Sequence, residues 1–289
     1  MVLVTGANGH LGKATIDFLL KKNLAPDKII ALVRDSRKAG DLIDKGVIIR
    51  IGDYFDYSSL VTAFEGVDVL MLISSASMQN RTQQHINVIE AAKQKGVKHI
   101  VYTSMLKVTD KSKFIPAIDH YETEEYLKTA DIPFTILRNT FYAELLPIFF
   151  GDALHNGNWY YAADNAKANF AARTDMAEAL ANVLLNPSKH INRTYEITSG
   201  NAYSFSEIAG IVSKSSGKQF SYTSIPVEAL KTGMKQAGVP ETEIPVIASV
   251  AEAISAGELN VTDISLENLL GRKPVDLKEY LPQLLNNIN

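Results

Sequence analysis

The residues with the clearest potential for chemistry lie in a glycine-rich stretch near the start of the chain, "VTGANGHLG". Gly6, Gly9 and Gly12 follow an apolar run that predicts a β-strand and precede an amphipathic run that predicts a helix. At such a turn, glycine lets an anion approach the backbone N–H groups at the start of the helix. Strand, turn and helix together predict a loop that binds the pyrophosphate of a dinucleotide, whereas the glycines alone would indicate only a tight turn.

A charged stretch after the second apolar run, "IIALVRDSRK", bears on which dinucleotide is bound. An acidic residue at this place typically binds the ribose 2′-OH of NAD, whereas an arginine accommodates the 2′-phosphate of NADP. Because Arg34 comes first after the strand and Arg37 and Lys38 follow, the sequence favours NADPH over NADH. The alternative for Arg37 and Lys38 is the solvated face of a helix that Asp35 or Ser36 caps.

These turns require a sheet that brings strand ends together. Short apolar runs alternate with amphipathic ones through the first half of the chain, and the apolar runs are nearly continuous Val, Ile and Leu. Strict β-α-β alternation predicts an α/β fold with a doubly wound parallel sheet, a Rossmann fold. The expected strands are Val2–Thr5, Lys28–Val33, Val47–Ile51, Val67–Ile73, His99–Thr103 and Phe134–Leu137. The expected helices cover about His10–Lys22, Ser36–Lys45, Ser58–Phe64, Gln79–Lys95 and Ile118–Thr129.

After Asn139 the pattern changes, and aromatic residues mix with Gly and Asn as in a substrate-binding loop or lobe. We expect residues 1–140 to form the dinucleotide-binding domain, rejoined by about 170–200. Residues 141–169 and 201–289 are expected to form a smaller, mostly helical substrate-binding lobe. "RTDMAEALANVLLNP" predicts a helix that Thr174 caps, and "TYEITSG" predicts a strand that rejoins the sheet.

Further candidates follow the later strands, because ligands of open α/β sheets bind at the carboxyl edge. Asp53 is placed to meet an adenine amino group, or else forms a turn. Small residues after the fourth strand would let a cofactor lie across the sheet edge, and the fifth strand ends in hydroxyls beside the expected nicotinamide. Those hydroxyls have the alternative role of satisfying local backbone groups. These candidates are Ser74, Ser75, Ala76, Thr103 and Ser104, followed after the sixth strand by Asn139, Thr140, Phe141 and Tyr142.

Composition narrows the class of protein. The formal net charge of −3, without a cluster of Lys and Arg, argues against nucleic-acid binding. The absence of cysteine excludes disulfides, thiolate metal sites and a cysteine nucleophile, and the six scattered histidines give no metal-ligand spacing. No apolar stretch is long enough for a membrane span, and no leader is apparent, so we expect a cytoplasmic protein. The oligomeric state is left open, with a homo-oligomer as one alternative.

Five stretches in order, "VTGANGHLG", "GDYFDYSSL", "GVDVLMLISS", "AAKQKGVKHIVYTS" and "IPFTILRNTFY", resemble the NmrA-like atypical short-chain dehydrogenase/reductases. Within that group the chain resembles the bacterial NAD(P)H:quinone oxidoreductases and the triphenylmethane reductases. The resemblance implies that Arg34 contacts the 2′-phosphate and that the ends of the fourth and sixth strands face the ribose and nicotinamide. It implies a phosphate loop of Gly6, Ala7, Asn8, Gly9, His10 and Leu11.

The catalytic centre departs from most short-chain dehydrogenases, which use Tyr-x-x-x-Lys to exchange a proton with an alcohol or carbonyl oxygen. None of the twelve tyrosines has a lysine four residues later. Aligning Glu124 with the family's helix places His120 where related sequences carry that lysine. We expect His120 or Tyr142 to donate a proton or to orient the acceptor, with a hydrogen-bonded core histidine as the alternative for His120.

The loss of Tyr-x-x-x-Lys is consistent with a quinone as acceptor. Hydride addition to a quinone gives a delocalised hydroquinone anion, so positioning can supply much of the catalysis. The sequence therefore predicts an NADPH-dependent reductase of a small quinone or similarly conjugated electrophile, with its pocket between the sheet edge and the C-terminal lobe. The alternatives are an NAD(P)-binding redox-sensing regulator without turnover and a triphenylmethane dye reductase.

Overall fold

The structure, a computed structural model, describes residues 1–286. Its strands are β1 (Val2–Val4), β2 (Ile29–Val33), β3 (Ile48–Ile51), β4 (Val69–Leu72), β5 (His99–Met105), β6 (Phe134–Asn139), β7 (Phe141–Tyr142), β8 (Asn158–Tyr161), β9 (Lys167–Ala171), β10 (Arg193–Ile197), β11 (Ala202–Ser204) and β12 (Ser221–Ser224). Its α-helices are α1 (His10–Lys21), α2 (Gly40–Asp44), α3 (Tyr57–Ala63), α4 (Arg81–Gln94), α5 (Ala117–Thr129), α6 (Leu146–Phe150), α7 (Ala153–Asn156), α8 (Arg173–Leu185), α9 (Phe205–Ser216), α10 (Val227–Gln236), α11 (Ile244–Ser255), α12 (Ser265–Leu270) and α13 (Leu277–Asn286). Short 3₁₀ turns cover Pro26–Lys28, Ser36–Lys38, Ala143–Leu145 and Pro187–His190.

The central sheet has seven strands in the order β10-β6-β5-β4-β1-β2-β3. Strands β1 to β6 pair in parallel, and β1 lies between β2 and β4, with Val2 opposite Ile29 on one side and Val69 on the other. The chain changes direction across the sheet at this point, so the loops after β1 and β4 meet at a topological switch point. The predicted doubly wound parallel sheet is confirmed, and the strand predicted in "TYEITSG" is the edge strand β10.

Buried aliphatic side chains explain why the sheet forms. All five residues of β2 are buried, as are those of β1, which is typical of strands that are covered on both faces. Leu3, Ile30, Leu70, Ile100 and Ile136 have no exposed surface and belong to one cluster that runs across the sheet. Burial of apolar side chains on this scale is the main favourable contribution to the free energy of folding.

The chain divides into two compact units. The first unit contains Met1–Met105, Asp119–Asn139 and Thr174–Tyr195, and the second contains Leu106–Ile118, Thr140–Arg173 and Glu196–Asn289. The second unit includes residues 106–118, a segment that the sequence analysis did not separate from the first.

The second unit carries small sheets as well as the expected helices. One sheet has the order β11-β9-β7, and the other pairs β12 with β8 in parallel. Its core contains the single tryptophan of the chain, Trp159, which is 1% exposed and stacks on Phe205 with ring centroids 4.6 Å apart. Phe150 meets the same indole edge-on at 4.9 Å. The indole Nε1–H donates to the carbonyl oxygen of Phe149 at 2.8 Å, so this ring is fixed by both packing and a hydrogen bond.

Three sequence-based boundaries were wrong: the ends of β5 and β6 and the start of α8. Strands β5 and β6 run two residues further than expected, because Ser104 pairs with Arg138 and Met105 with Asn139 in the parallel ladder. Helix α8 begins before Thr174, which therefore lies inside the helix rather than at its N-cap.

Candidate functional site

The glycine loop between β1 and α1 is closely packed against itself. The Gly9 N–H donates to the Gly6 carbonyl oxygen at 2.8 Å, and Gly6 has φ of +56°, a conformation that disfavours other residues. A Cβ on Gly12 would lie 2.5 Å from the Gly6 oxygen and 2.9 Å from the Ala7 Cα, both of which are backbone atoms. Glycine at position 12 is therefore required for the first turn of α1 to approach the loop.

At the start of α1, Gly9 is the N-cap residue, and no side-chain hydrogen bond caps the helix. The Lys13 N–H donates to the Gly9 carbonyl, so the N–H groups of His10, Leu11 and Gly12 precede the first intrahelical bond. Such N–H groups and the helix dipole favour an anion.

Two buried amide oxygens in the first unit have no hydrogen-bond partner among the described residues. They are Oδ1 of Asn8, in the glycine loop, and Oδ1 of Asn139, at the end of β6. Buried polar atoms are nearly always satisfied, and an exception indicates a partner outside the protein chain. The glycines of the loop, the uncapped N-terminus of α1 and these two acceptor atoms together fit a dinucleotide.

The end of β2 contains one free arginine and one paired arginine. The Asp35 carboxylate accepts hydrogen bonds from the Arg37 side chain, each at 2.9 Å, and from the Arg37 backbone N–H at 3.0 Å. The bonds from Arg37 lower the pKa of Asp35. The Arg34 side chain is exposed and has no such partner within the described part of the first unit. Asp35 is thus occupied, and Arg34 is free to meet an anion.

Side chains satisfy three consecutive backbone N–H groups where β4 ends. The donors and acceptors are Ile73 N–H to Thr5 Oγ1 (2.9 Å), Ser74 N–H to Thr103 Oγ1 (3.0 Å) and Ser75 N–H to His85 Nε2 (3.0 Å). The Ser75 hydroxyl donates to Gln84 Oε1 at 2.8 Å, and Ala76 is exposed. The Thr103 hydroxyl therefore satisfies a backbone N–H group, which the sequence analysis gave as its alternative role. The three hydrogen bonds fix the backbone conformation of the segment that follows β4.

Asp53, after β3, forms a local turn. Its Oδ1 accepts from the Phe55 N–H at 3.0 Å, and its own N–H donates to the Ser59 hydroxyl at 3.0 Å. Its neighbour Tyr54 donates a hydrogen bond from its hydroxyl to the Ile73 carbonyl at 2.8 Å, which ties this turn to the end of β4. Asp53 therefore forms a turn, the alternative given above, and only its Oδ1 takes part in that turn.

The ends of β5 and β6 are joined to α5 by a buried ion pair. Glu124 has a side chain that is 1% exposed and lies 2.6 Å from a guanidinium nitrogen of Arg138. The Ser104 hydroxyl donates to the same carboxylate at 2.5 Å. A buried charge requires such partners, so these residues hold the strand ends in place.

His120 lies in the polar interior of the first unit, next to β5. Its Nδ1 is 2.8 Å from the Tyr102 hydroxyl oxygen, and the residue is 8% exposed. Burial, with a smaller contribution from the positive charge of Arg81, lowers the pKa of His120 to about 3. The imidazole is therefore uncharged at neutral pH and can make hydrogen bonds, but it does not act as an imidazolium acid.

The segment after Asn139 belongs to the second unit, where its residues have different environments. The Thr140 hydroxyl donates to the Asn169 carbonyl at 2.6 Å. The Phe141 ring packs edge-on against Phe114 at 5.7 Å. Both contacts are structural, so Tyr142 is the member of this segment with a reactive group left to assign.

The Tyr142 ring is half-buried and lies under the guanidinium of Arg173, whose central carbon is 4.7 Å from the ring centroid. Burial raises the pKa of Tyr142 to about 12, and the positive charge of Arg173 opposes this shift in part. The phenol is thus protonated at neutral pH and can donate a hydrogen bond. Arg173 was missed by sequence reasoning, although an arginine between an apolar strand and a helix is a usable signal.

Within 1–286, no three histidine, aspartate or glutamate side chains are grouped so that they could hold a metal ion. None of the helices in that range has both the length and the apolar character needed to cross a membrane.

Comparison with known proteins gave matches over the whole length of the chain. The NmrA-like family matches residues 1–281. Quinone oxidoreductase 2 of Escherichia coli (strain K12) is 35% identical over 286 residues, which cover 99% of each chain. The crystal structure of an NADPH-dependent quinone oxidoreductase from Escherichia coli in complex with NADPH has a TM-score of 0.93 at 35% identity and covers 100% of both chains. The Citrobacter sp. triphenylmethane reductase complexed with NADP(H) has a TM-score of 0.90 at 37% identity, covering 98% of this chain and 100% of that one.

Proposed function

The chain belongs to the NmrA-like family, and from this we propose that it is an NADPH-dependent reductase that passes hydride to a quinone or a similar conjugated electrophile. The resemblance predicted from the sequence is thereby confirmed at the level of the family. The observation that carries the choice of acceptor is the absence of Tyr-x-x-x-Lys, since none of the twelve tyrosines has a lysine four residues later. The protonation states of the two candidate acids agree with it. His120 is uncharged at neutral pH, and Tyr142 retains its proton, with pKa values of about 3 and about 12.

This state suits a quinone better than a ketone. A ketone that accepts hydride becomes a localised alkoxide and needs a proton donor of matched pKa. A quinone that accepts hydride, which is two electrons and one proton, becomes a delocalised hydroquinone monoanion while NADPH leaves as NADP⁺. A proton from water then completes the hydroquinone. Hydrogen bonds to the acceptor oxygen are sufficient for this chemistry, and a side-chain acid is not required.

NADPH, which supplies the hydride when bound, would be held by residues of the first unit. We assign the pyrophosphate to the loop residues Gly6, Ala7, Asn8, Gly9, His10 and Leu11, with the open N–H groups of α1 as donors. Arg34 is assigned to the 2′-phosphate, because the neighbouring carboxylate of Asp35 is occupied by Arg37. Oδ2 of Asp53 is available for the adenine amino group, and Ser74, Ser75 and Ala76 are assigned to the ribose and nicotinamide side.

Asn139, Tyr142 and His120 are assigned to the reacting end of the cofactor and to the acceptor. The unpaired Oδ1 of Asn139 is an acceptor that suits a carboxamide N–H. Tyr142 is assigned as a hydrogen-bond donor to the acceptor oxygen, and His120, through Tyr102, as a positioning residue. We further assign dinucleotide binding to residues 1–140 and to the part of 170–200 that rejoins them, with acceptor binding in 141–169 and 201–289.

The absence of cysteine and the modest net charge of −3 support a small-molecule enzyme of a reducing compartment such as the cytoplasm. A regulator that senses NADP(H) without turnover, and a reductase of triphenylmethane dyes, are the competing functions.

The test of the proposed activity is steady-state oxidation of NADPH with a panel of benzoquinones and naphthoquinones. Turnover of at least some quinones is expected. Tight binding of NADPH with no oxidation by any quinone or dye would reject the reductase and favour the regulator.

The cofactor assignment is tested by Arg34→Ala with Arg37→Ala as the matched control. Loss of a charge-assisted contact to the 2′-phosphate should raise the NADPH dissociation constant by roughly 10- to 100-fold and leave NADH almost unchanged. Arg37 is bonded to Asp35, so its removal should change NADPH binding much less. Equal effects of Arg34→Ala on the two cofactors would show that Arg34 does not read the 2′-phosphate.

A further inference from the structure

Arg173 is a half-buried arginine whose charge has no carboxylate partner. Its guanidinium lies over the Tyr142 ring at 4.7 Å, and within the described residues of the second unit no carboxylate forms an ion pair with it. Charged side chains that leave water are usually paired. A stacked arginine without an anion therefore has capacity to bind one.

Tyr142 carries a second hydrogen-bond donor, its hydroxyl. No hydrogen bond joins this hydroxyl to any described residue of the second unit. It is not among the fully buried atoms that lack a partner, so solvent or a ligand can reach it. Because a guanidinium and a protonated phenol both donate hydrogen bonds, the group that satisfies them must be an acceptor, and the positive charge favours one with negative charge.

Rigid elements hold both residues in place. Tyr142 ends β7, where it lies opposite Ala171 of β9, and Arg173 follows β9 as the first residue of α8. The Arg173 backbone N–H donates to both carboxylate oxygens of Glu144, at 3.0 and 3.2 Å. Glu144 in turn accepts from the Tyr280 hydroxyl at 2.8 Å. The site is therefore preorganised, which is a requirement for selective binding.

We propose that Arg173 and Tyr142 bind the electron-rich oxygen of the hydride acceptor, and that this pair selects anionic and neutral quinones against cationic dyes. The inference rests on the proposed function. The planar guanidinium can donate two parallel hydrogen bonds to a carbonyl, sulfonate or hydroquinone oxygen. It repels a cationic triarylmethane, because two like charges brought together lower the affinity.

The experiment compares kcat/KM for three acceptors that differ in charge: 1,4-naphthoquinone-2-sulfonate, 1,4-naphthoquinone and crystal violet. Arg173→Gln should lower kcat/KM for the sulfonate by about tenfold or more, lower it less for the neutral quinone, and not lower it for the cationic dye. Arg193→Gln is the matched control, since it removes the same charge from an exposed arginine at the start of β10. An equal loss for all three acceptors, or the same pattern in Arg193→Gln, would overturn the inference.

Two further variants separate charge from geometry and protect the test against a folding defect. Arg173→Lys retains the charge without the planar fork and should recover part of the sulfonate activity. Tyr142→Phe removes one donor and retains the stacked ring, so it should lower kcat/KM for both quinones by a similar, smaller factor. If neither variant lowers kcat/KM for the two quinones relative to the cationic dye, the pair does not bind the acceptor oxygen.

Binding separates failure of this inference from failure of the proposed function. If the wild-type protein reduces no quinone, the reductase is rejected, and calorimetric titration with 1,4-naphthoquinone-2-sulfonate still tests the site. Weaker binding of the sulfonate by Arg173→Gln than by wild type supports an anion site of another function. Equal affinities, or no binding by wild type, overturn the inference independently of turnover.

Discussion

Arg138 and Arg173 show how one residue type acquires different roles in the two units. Arg138 is the penultimate residue of β6 in the first unit and lies 2.6 Å from a carboxylate that is almost completely buried. Arg173 begins α8 in the second unit and stacks on Tyr142 without an ion pair to any described carboxylate of that unit. The difference is whether the protein itself satisfies the charge. A satisfied group indicates a structural role, and an unsatisfied group indicates a ligand.

The same distinction applies to other candidate residues of the first unit. Arg37 is bonded to Asp35 and Arg34 is not, although both follow β2. Thr103 and His85 accept hydrogen bonds from backbone N–H groups, whereas Oδ1 of Asn139 accepts none. Hydrogen bonds within the protein thus separate the candidate residues that are structural from those that are available to a ligand.

The largest effect on stability is expected from Glu124→Gln, which removes the charge that compensates Arg138. We expect the free energy of unfolding to fall by about 3 kcal/mol, because one partner of a buried ion pair is left without the other. Urea denaturation measures this change. The control is Glu125→Gln in the next residue, whose exposed pair with Lys128 is worth less than about 0.5 kcal/mol. Similar losses in the two variants would contradict the structural role of Glu124.

A second expectation concerns pH and the buried His99. Its Nε2 lies 2.8 Å from the Thr135 hydroxyl, and burial, with a smaller effect of His190, lowers its pKa from 6.5 to about 4. Between these values the unfolded state binds more protons than the folded state, so stability falls as pH decreases from about 6.5 toward 4.

Replacement of His99 by Gln should therefore flatten this dependence. The slope of unfolding free energy against pH should decrease by up to about 1.4 kcal/mol per pH unit between pH 4.5 and about 6. Urea melts of both proteins across this range give the two slopes, and melts at pH 7–8 give the change that is independent of protonation. An unchanged slope would show that His99 titrates alike in both states.

Glu144→Gln tests how firmly the second unit holds the backbone of Arg173. Two hydrogen bonds from the Arg173 N–H and one from Tyr280 end on this carboxylate, so a loss of about 1 kcal/mol in unfolding free energy is expected. Chemical denaturation of this variant beside the exposed Glu279→Gln measures the loss. If the two are equal, Glu144 does not cap α8.

The smallest stability effect is expected from Arg173→Leu. Its side chain makes a cation–π contact and, among residues 1–286, no ion pair, so its removal should cost less than about 1 kcal/mol. The measurement is the same denaturation experiment, and the comparison is with Glu124→Gln. A loss as large as that of the buried pair would place Arg173 among the structural arginines.

Local patterns were sufficient to predict the fold and to propose part of the candidate site. The strands of the central sheet are continuous apolar runs separated by amphipathic helices, so the doubly wound parallel sheet followed from periodicity. The glycine loop and Arg34 were found because their signals lie within a few residues of a strand end.

Contacts between distant residues were not predictable in the same way. Glu124 and Arg138 are 14 residues apart, and no local pattern distinguishes this glutamate from its neighbours in "ETEE". Thr174 was expected to cap α8 because it is a good capping residue close to the helix start. The N–H of Arg173, the first residue of α8, instead donates to Glu144, which lies 29 residues earlier in the chain.

The burial of Trp159 makes the second unit separately visible. Because the chain has one tryptophan and it is packed among aromatic rings of that unit, its intrinsic fluorescence follows the loss of structure there alone. Circular dichroism follows the helices of both units. Coincident transitions by the two probes would show that the units melt cooperatively. An earlier fluorescence change would show that the second unit can open while the central sheet remains intact.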